Sequence, residues 1–172
     1  MSWENDHVSL VCPTVNGFPP QDISGFLLCC AGEWLALRSR LTIGGEGQGG
    51  DDDEWHESER GELKVEYLEP DHAGAPGGLM IHPPLGGPQR LVFLGDGLFI
   101  SGERKGEWRL CPDSSLELTM RQEGSEVRER IWFTKSNLRL RSSVEHRADG
   151  SPGRASFSTE IRRLPPPPVA RG

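Results

Sequence analysis

The chain of 172 residues carries 26 acidic and 19 basic side chains, which give a formal net charge of −7. Nucleic acids and anionic membranes are bound by clustered Lys and Arg, and no long basic run occurs in the sequence, which excludes both as expected partners. The 22 Gly and 14 Pro predict many turns and short elements, which favours one all-β domain.

Residues 1–20 are largely polar and end in the sequence GFPP, which predicts a flexible leader. They lack the basic start and apolar run of a secretory signal, and no apolar stretch reaches the ~18 residues of a membrane span. We therefore expect a cytoplasmic protein. In that compartment Cys12, Cys29, Cys30 and Cys111 are expected to form neither a disulfide framework nor a metal site.

Residues 21–31 predict a short helix, capped by Asp22 or Ser24 and ended by Gly32. A strand, EWLALRSRLTI, follows it. The next segment, residues 44–58, is an acidic, Gly-rich loop in our interpretation, because it cannot bury enough apolar surface to fold alone. Its DDDE run lacks the alternating ligands and turn glycine of a calcium loop, so we interpret it as solvated charge.

The chain up to residue 164 consists of short alternating segments separated by turn-like sequences such as GDG and ADGSPG. With the strand after the helix these segments are EWLALRSRLTI, GELKVEYLE, LMIH, RLVFL, GLFIS, EWRLC, SLELTM, EVRERIWFT, NLRLRSSVEHR and ASFSTEIRRL. A meander of about ten antiparallel strands hides its edges by closing into a barrel with room for one small ligand. We predict one such barrel domain over residues 21–164 and a disordered, Pro-rich tail over residues 165–172.

The sequence NLRLRSS, which begins at Asn137, alternates so that one face of its strand is ionic and the other apolar. In the ordinary arrangement the leucines are buried and the arginines solvated, because a buried guanidinium must be paired. In the alternative, the ionic face lines a polar ligand cavity. The residues that such a cavity would gather are Glu129, Arg139, Arg141, Ser143, Ser156, Ser158 and Glu160. An outer ladder of Arg and Glu, worth only ~0.2–1 kcal/mol per pair, stays open on the pattern alone.

Two blocks of the sequence resemble a known family. ERIWFTKSNLRLRSSVEHRADGSPGRASFSTEIRR closely resembles the C-terminal signature of the S/U-type phycobiliprotein chromophore lyases, the CpcS/CpeS family. DISGFLLCCAGEWLALRS resembles that family's opening helix and Gly-x-Trp strand, whereas residues 44–90 resemble it only in outline. The resemblance implies a lipocalin-like or fatty-acid-binding-protein-like antiparallel barrel of ten strands with one short N-terminal helix. In such barrels Trp34 packs beneath an arginine of the last strand, here Arg162 or Arg163.

The resemblance also implies a function. Family members bind a free linear tetrapyrrole, phycocyanobilin or phycoerythrobilin, and promote its thioether attachment to a cysteine of a phycobiliprotein alpha or beta subunit. The bilin is then a substrate, and no permanently bound cofactor is expected. Arg139 and Arg141 would face inward and hold the two propionates. Glu160 or Glu129 would accept the pyrrole N–H groups and stabilise the protonated bilin, which makes its ethylidene group more electrophilic towards a thiolate.

Further bilin contacts are expected from Ser143 and Ser158, and from Met80 and His82, which stand where some family members have a cavity-lining Met-x-Trp pair. Two alternatives stay open: a non-catalytic carrier of a bilin, haem or lipid, or, with the arginines outside, a structural interaction module. A homodimer, or a heterodimer with a related lyase subunit, is also considered. No phosphate-binding loop, nucleophile elbow or histidine metal motif supports another enzyme class.

Overall fold

The computed structural model describes residue 12 and residues 17–42, 55–151 and 153–163. These residues form a closed antiparallel barrel of ten strands with one helix, as the sequence predicts. The elements are α1 Ile23–Cys30, β1 Gly32–Thr42, β2 Trp55–Leu68, β3 Gly77–His82, β4 Gln89–Phe93, β5 Leu98–Ser101, β6 Arg104–Leu110, β7 Leu116–Gln122, β8 Ser125–Lys135, β9 Leu138–Arg147 and β10 Arg154–Arg162. None of the helical structure in these ranges is long and apolar enough to span a membrane.

The barrel closes because β1 pairs with β2 on one side and with β10 on the other. Every other strand pairs with its neighbours in sequence, so the topology is a simple meander. Across the closing pair, Trp34 lies opposite Arg162 and Ala36 lies opposite Glu160. The first and last strands of the domain therefore meet at the residues that surround the candidate site.

Two strands begin three or more residues earlier than predicted. β2 begins at Trp55, so the acidic loop predicted to reach residue 58 was too long, because pairing with β1 extends the strand. β6 begins at Arg104 although ERKG reads as a turn, because Arg104 pairs with Ser101 of β5. Most of the predicted leader, most of the acidic loop and the predicted tail lie outside the described residues, namely in residues 1–11, 13–16, 43–54 and 164–172.

Helix α1 packs into the apolar core of the barrel. Asp22 caps the helix, and its Oδ1 accepts a hydrogen bond from the Gly25 N–H at 2.8 Å. Phe26 and Leu27 are fully buried, and Phe26 meets Phe133 of β8 edge to face at a centroid distance of 5.2 Å. The helix therefore belongs to the buried core, which continues along the strands to residues such as Phe99 and Leu118.

Cys12 and Cys29 form a disulfide, so the expectation that the cysteines are unpaired was wrong for these two. Cys12 is buried in the core cluster, which attaches a residue of the predicted flexible leader to the helix. Cys30 and Cys111 are free thiols. A pairing across 17 residues has no short-range sequence signature, and the argument from compartment pointed the other way.

Strand β9 turns its arginines towards the interior, which is the less common of the two arrangements considered from the sequence. Arg139 is buried, and the alternating residues Leu138 and Leu140 are on the opposite face. On this side of the barrel several large apolar side chains are solvent-exposed: Leu37, Val144, Phe157 and Ile161. This wall is therefore ionic inside and apolar outside.

The Trp34 indole contacts two guanidinium groups. Arg139 Cζ lies 4.5 Å and Arg162 Cζ lies 4.1 Å from the ring centroid. Arg162 Nη2 also donates to the Cys29 carbonyl at 2.6 Å, which ties the last strand to the helix. Burial and the nearby positive charge of Arg139 lower the pKa of Arg162 to about 10. Arg163, the other candidate for this contact, forms an exposed ion pair instead.

Gly32 provides a test of this packing. It has a φ of +134°, and a Cβ added there would lie 2.5 Å from Arg162 Nη1. We expect Gly32→Ala to lower the free energy of unfolding by at least about 1 kcal/mol more than Gly150→Ala, because the Arg162 clash adds to backbone strain. Gly150, with φ +75° and open space around it, reports the smaller strain of a near left-handed backbone without a clash, so the excess loss at Gly32 includes its more extreme φ as well as the Arg162 contact. Urea unfolding measures both variants, and equal losses would show that Arg162 moves aside without cost.

Candidate functional site

Strands β8, β9 and β10 direct a set of polar side chains to the inside of the barrel. The pairing places Arg139 opposite Glu160, and Arg141 opposite Ser158. The structure thus brings all seven residues predicted for this face to the inside of three neighbouring strands: Glu129, Arg139, Arg141, Ser143, Ser156, Ser158 and Glu160. Within each strand these residues are two positions apart, and across neighbouring strands they lie opposite one another, so they share one face of the sheet.

Arg139 and Glu160 form a fully buried ion pair. Arg139 Nε donates to Glu160 Oε2 at 2.5 Å, and the relative exposures of the two side chains are 1% and 0%. Burial by itself would raise the pKa of Glu160, but the positive charges of Arg139 and Arg141 outweigh it and hold that pKa below its ordinary value of 4.5. Glu160 is therefore ionised at neutral pH.

The Cys30 backbone fixes the other side of Arg139. The Cys30 carbonyl accepts a hydrogen bond from Arg139 Nη1 at 3.4 Å and one from Trp34 Nε1 at 3.0 Å. Burial raises the pKa of the Cys30 thiol, and the Arg139 charge only partly offsets that effect. Arg139 is consequently enclosed by protein groups, and Cys30 stays a protonated thiol.

Arg141 lies between this buried pair and the open interior. Its Nε is 2.9 Å from Glu129 Oε1 and 4.0 Å from Glu160 Oε1, and its side chain is 16% exposed. Burial tends to lower the pKa of Arg141, but the two carboxylates outweigh it and raise that pKa. Arg141 therefore keeps its charge beside both glutamates.

Three buried polar atoms of this cluster have no hydrogen-bond partner among the described residues: Arg139 Nη2, Arg141 Nε and Glu160 Oε1. The close approach of Arg141 Nε to Glu129 lacks hydrogen-bond geometry, although the charges attract. Buried polar groups are satisfied in the large majority of cases, and exceptions call for an explanation. A polar ligand that enters the interior supplies one.

Arg38 of β1 joins the same face, and the sequence analysis gave it no role. Its Nε donates to Ser158 Oγ at 3.1 Å, and its Nη1 is 3.6 Å from Glu59 Oε1 of β2. The signal for it was present, because Arg38 follows Trp34 by four positions on an alternating strand and so shares its face. Arg38 links the closing strand to the polar cluster.

Two cavities open beside the cluster. The first, of about 580 Å³, has Arg141 and Glu129 in its wall together with apolar side chains, among them Phe99, Leu118 and Met120. The second, of about 760 Å³, is more polar, and its wall includes Arg40, Ser143, Arg154 and Ser156. Gln122 and Val127 line both. Volumes of this size are typical of small-molecule sites.

Met80 and His82 line neither of these cavities, so the prediction that they contact a ligand there was wrong. The inner positions of β3 belong to Leu79 and Ile81, which are buried in the core, and alternation turns the intervening residues outward. His82 Nε2 lies 3.2 Å from an exposed Glu66 carboxylate. Across the described ranges, no group of three His, Cys, Asp or Glu side chains is arranged to hold a metal ion.

Sequence comparison finds related proteins. A family model described as CpeS-like protein matches residues 101–163, the segment that contains β8, β9 and β10. A chromophore lyase CpcS/CpeS 1 of Paulinella chromatophora is 40% identical over 154 residues, which cover 88% of this chain and 94% of that protein. A chromophore lyase CpcS/CpeS 1 of Trichodesmium erythraeum (strain IMS101) is 46% identical over 59 residues, or 34% of this chain and 33% of that one.

Solved structures share the barrel. The S-type phycobiliprotein lyase CPES from Guillardia theta aligns with a TM-score of 0.65 and 21% identity, covering 84% of this chain and 94% of that chain. A protein of unknown function of the DUF3598 family from Nostoc punctiforme aligns with a TM-score of 0.54 and 16% identity, covering 80% of this chain and 49% of that chain. At these identities both likenesses concern the fold.

The buried ion pair makes stability depend on pH. Because the pKa of Glu160 is lowered in the folded state, its contribution is fully present above about pH 4.5 and is lost as the pH falls through the folded pKa. We therefore expect the unfolding free energy of the wild type to exceed that of Glu160→Gln most clearly near pH 7. The difference should shrink on acidification. Urea unfolding across this pH range measures it, and a difference independent of pH would contradict the ion pair.

A second comparison identifies the source of this effect. Arg139→Met removes the nearest positive charge and leaves burial as the main influence on the Glu160 carboxyl group. The pH-dependent difference between Arg139→Met and the double variant Arg139→Met/Glu160→Gln should therefore be smaller than in the wild-type background, or reversed in sign. An unchanged difference would show that Arg139 is not the residue that lowers the pKa of Glu160.

Proposed function

This chain belongs to the CpcS/CpeS chromophore lyase family, and from that premise we propose that its barrel binds a free linear tetrapyrrole and promotes its covalent attachment to a phycobiliprotein alpha or beta subunit. One observation carries the proposal: a cavity of about 580 Å³ has Arg141 and Glu129 in its wall, with the buried carboxylate of Glu160 directly behind. The bilins considered are phycocyanobilin and phycoerythrobilin, and each is a substrate.

The chemistry of the wall suits a bilin. A linear tetrapyrrole carries two propionates and a row of pyrrole nitrogens, so it needs both anion-binding and N–H-accepting groups. Glu129 lines the cavity and is the carboxylate placed to accept pyrrole N–H groups. Arg141, the more accessible of the two arginines on β9, has N–H donors for one propionate in addition to its contact with Glu129. The apolar wall covers the flat faces of the rings.

Arg139 and Glu160 act behind this wall. Both side chains are fully buried, so we assign Arg139 to positioning and not to the direct propionate contact predicted from the sequence. The pair fixes a negative charge 4.0 Å from Arg141 and so holds that guanidinium near the cavity. Direct contact between Glu160 and the pyrroles stays a prediction, as do the bilin contacts of Ser143 and Ser158.

Attachment proceeds by addition. The thiolate sulfur of the acceptor cysteine forms a bond to the ethylidene carbon of the bilin, and the electron pair of the double bond moves into the ring, which takes up a proton. The net change is addition of S–H across a double bond, so it needs neither oxidant nor leaving group. Carboxylates near the pyrroles stabilise the protonated bilin and make that carbon more electrophilic. The lyase supplies conformation and protonation, and the acceptor supplies the thiol.

Free bilin provides the direct test. Purified protein mixed with phycocyanobilin or phycoerythrobilin should give a stronger, red-shifted visible band, because a protonated and extended chromophore absorbs in that way. Co-expression with a bilin source and each candidate acceptor subunit should then give a covalent, zinc-fluorescent product. Unchanged spectra with both pigments would contradict the proposal. A bilin spectrum without transfer to any acceptor would favour the alternative, a non-catalytic carrier.

The orientation of β9 gives a matched pair of variants. Arg141→Ala should weaken bilin binding by about 1.5 to 3 kcal/mol, the usual scale for a charged hydrogen bond. Leu140→Ala, on the opposite face of the same strand, should leave the bilin affinity within about twofold and lower only the stability. Absorbance titration measures affinity once circular dichroism shows that both variants fold. The opposite result, a lost spectrum in Leu140→Ala alone, would place the ligand elsewhere.

A cytoplasmic location and an assembly as a homodimer, or as a heterodimer with a related lyase subunit, stay predictions from the sequence. Size-exclusion chromatography with light scattering, with and without an acceptor subunit, measures the assembly.

A further inference from the structure

We infer that Arg104, at the rim of the first cavity, binds one carboxylate of the tetrapyrrole, so that the ligand lies with this carboxylate outward and its pyrrole nitrogens towards Glu129. This inference rests on the proposed function, and it adds a residue that neither the sequence analysis nor the polar cluster identified. It follows from the balance of charges in the interior and from the position of Arg104 on β6.

The arginines of the inner cluster already have partners within the protein. Four of them lie within 4.0 Å of a glutamate: Arg38 and Arg40 share Glu59, Arg139 pairs with Glu160, and Arg141 pairs with Glu129. Arg162, an inward arginine near Trp34, directs its N–H groups at backbone carbonyls of Cys29, Ala31 and Ser136. A ligand carboxylate would have to compete with these acceptors for any of the five guanidinium groups.

A bilin brings two carboxylates into an interior whose arginines already have partners. Its two propionates contribute two negative charges, and protonation of the pyrroles contributes one positive charge, so the bound form has a net charge of −1. Arg141 can donate to one propionate, but a second carboxylate beside Glu129 and Glu160 would repel both. A cation that is not already paired would therefore accommodate the second carboxylate.

Arg104 meets that requirement. It is the first residue of β6, and alternation places it on the same face as Gly106 and Trp108, whereas Lys105 faces outward. Its side chain lines the first cavity together with Arg141 and Glu129. In the described part of the chain no carboxylate lies within 4.0 Å of its guanidinium, and the residue is solvent-exposed. Arg104 can therefore pair with a ligand carboxylate without breaking an ion pair among these residues. The two charges then enter the cavity together, and neither is buried unpaired.

Two other arginines compete for this role. Arg90 also lines the first cavity, but Leu91 and Phe93 occupy the inner positions of β4, so Arg90 approaches from the outer face. Arg154 lines the second cavity, whose wall includes neither Glu129 nor Arg141. Arg104 alone combines an inward position with the cavity that contains the N–H acceptor.

The test compares phycocyanobilin with its dimethyl ester, which keeps the pyrroles and loses both carboxylates. Three variants remove one positive charge each: Arg104→Gln, Lys105→Gln and Arg154→Gln. Lys105 is the matched control, because it is adjacent to Arg104, loses the same charge and points outward. Absorbance titration at low ionic strength gives the affinity of every protein for both pigments. We expect Arg104→Gln to bind phycocyanobilin on the order of tenfold more weakly than the wild type and to bind the ester within about twofold of it.

Each other outcome has a defined meaning. An equal effect of Arg104→Gln and Lys105→Gln overturns the inference, since it would reflect only the overall charge. A loss that persists with the ester overturns it as well, because Arg104 would then act through structure. If Arg154→Gln instead weakens binding of phycocyanobilin but not of its dimethyl ester, the inference is wrong and the carboxylate lies in the second cavity. Failure of the wild type to bind either pigment contradicts the proposed function itself, which distinguishes that failure from the failure of the inference.

Discussion

A guanidinium and a carboxylate that are both removed from water must compensate each other, and in this barrel Arg139 and Glu160 do so where the last strands meet the helix. The buried Trp34 holds Arg139 in place. Its ring contacts the guanidinium, and its N–H and Arg139 Nη1 both donate to the Cys30 carbonyl. Loss of either charge would leave the other buried and unpaired. The contact joins β9 to β10, brings β9 against the end of the helix at Cys30, and sets a carboxylate 4.0 Å from Arg141.

The same contact explains why β9 is oriented against the usual rule. An inward-facing arginine is costly unless a carboxylate faces it, and β10 supplies Glu160 at the register position directly opposite Arg139. The apolar residues that this orientation displaces to the surface, such as Phe157 and Ile161, are exposed in return. Stability is instead drawn from the apolar cluster beneath the helix, where Phe26 and Phe133 pack. The interior thus contains an apolar core around the helix and an ionic wall on β8, β9 and β10 that a ligand can reach.

Local patterns in the sequence were sufficient for much of this architecture. Strict alternation predicted the strands, Asp22 predicted the helix cap, and spacing placed the polar residues of β8, β9 and β10 on common faces. Alternation does not say which face is inside, because a strand reversed about its axis has the same pattern; the family resemblance made that choice. Met80 and His82 were misplaced because they were assigned from the family's Met-x-Trp pair. A strand of six residues next to prolines gives little independent evidence of which side chains face inward. Arg104 was missed because a turn-like sequence, ERKG, continues as a strand once it pairs with β5.

Cys30 bears on turnover. A protein that presents an electrophilic pigment to another chain risks reacting with that pigment itself, and any thiolate within reach would trap the cargo as a dead-end adduct. Burial keeps the Cys30 sulfur protonated, because it outweighs the opposing effect of Arg139 on the pKa of the thiol. The barrel therefore carries a cysteine beside the site whose thiol, being protonated, does not compete with the acceptor cysteine for the pigment.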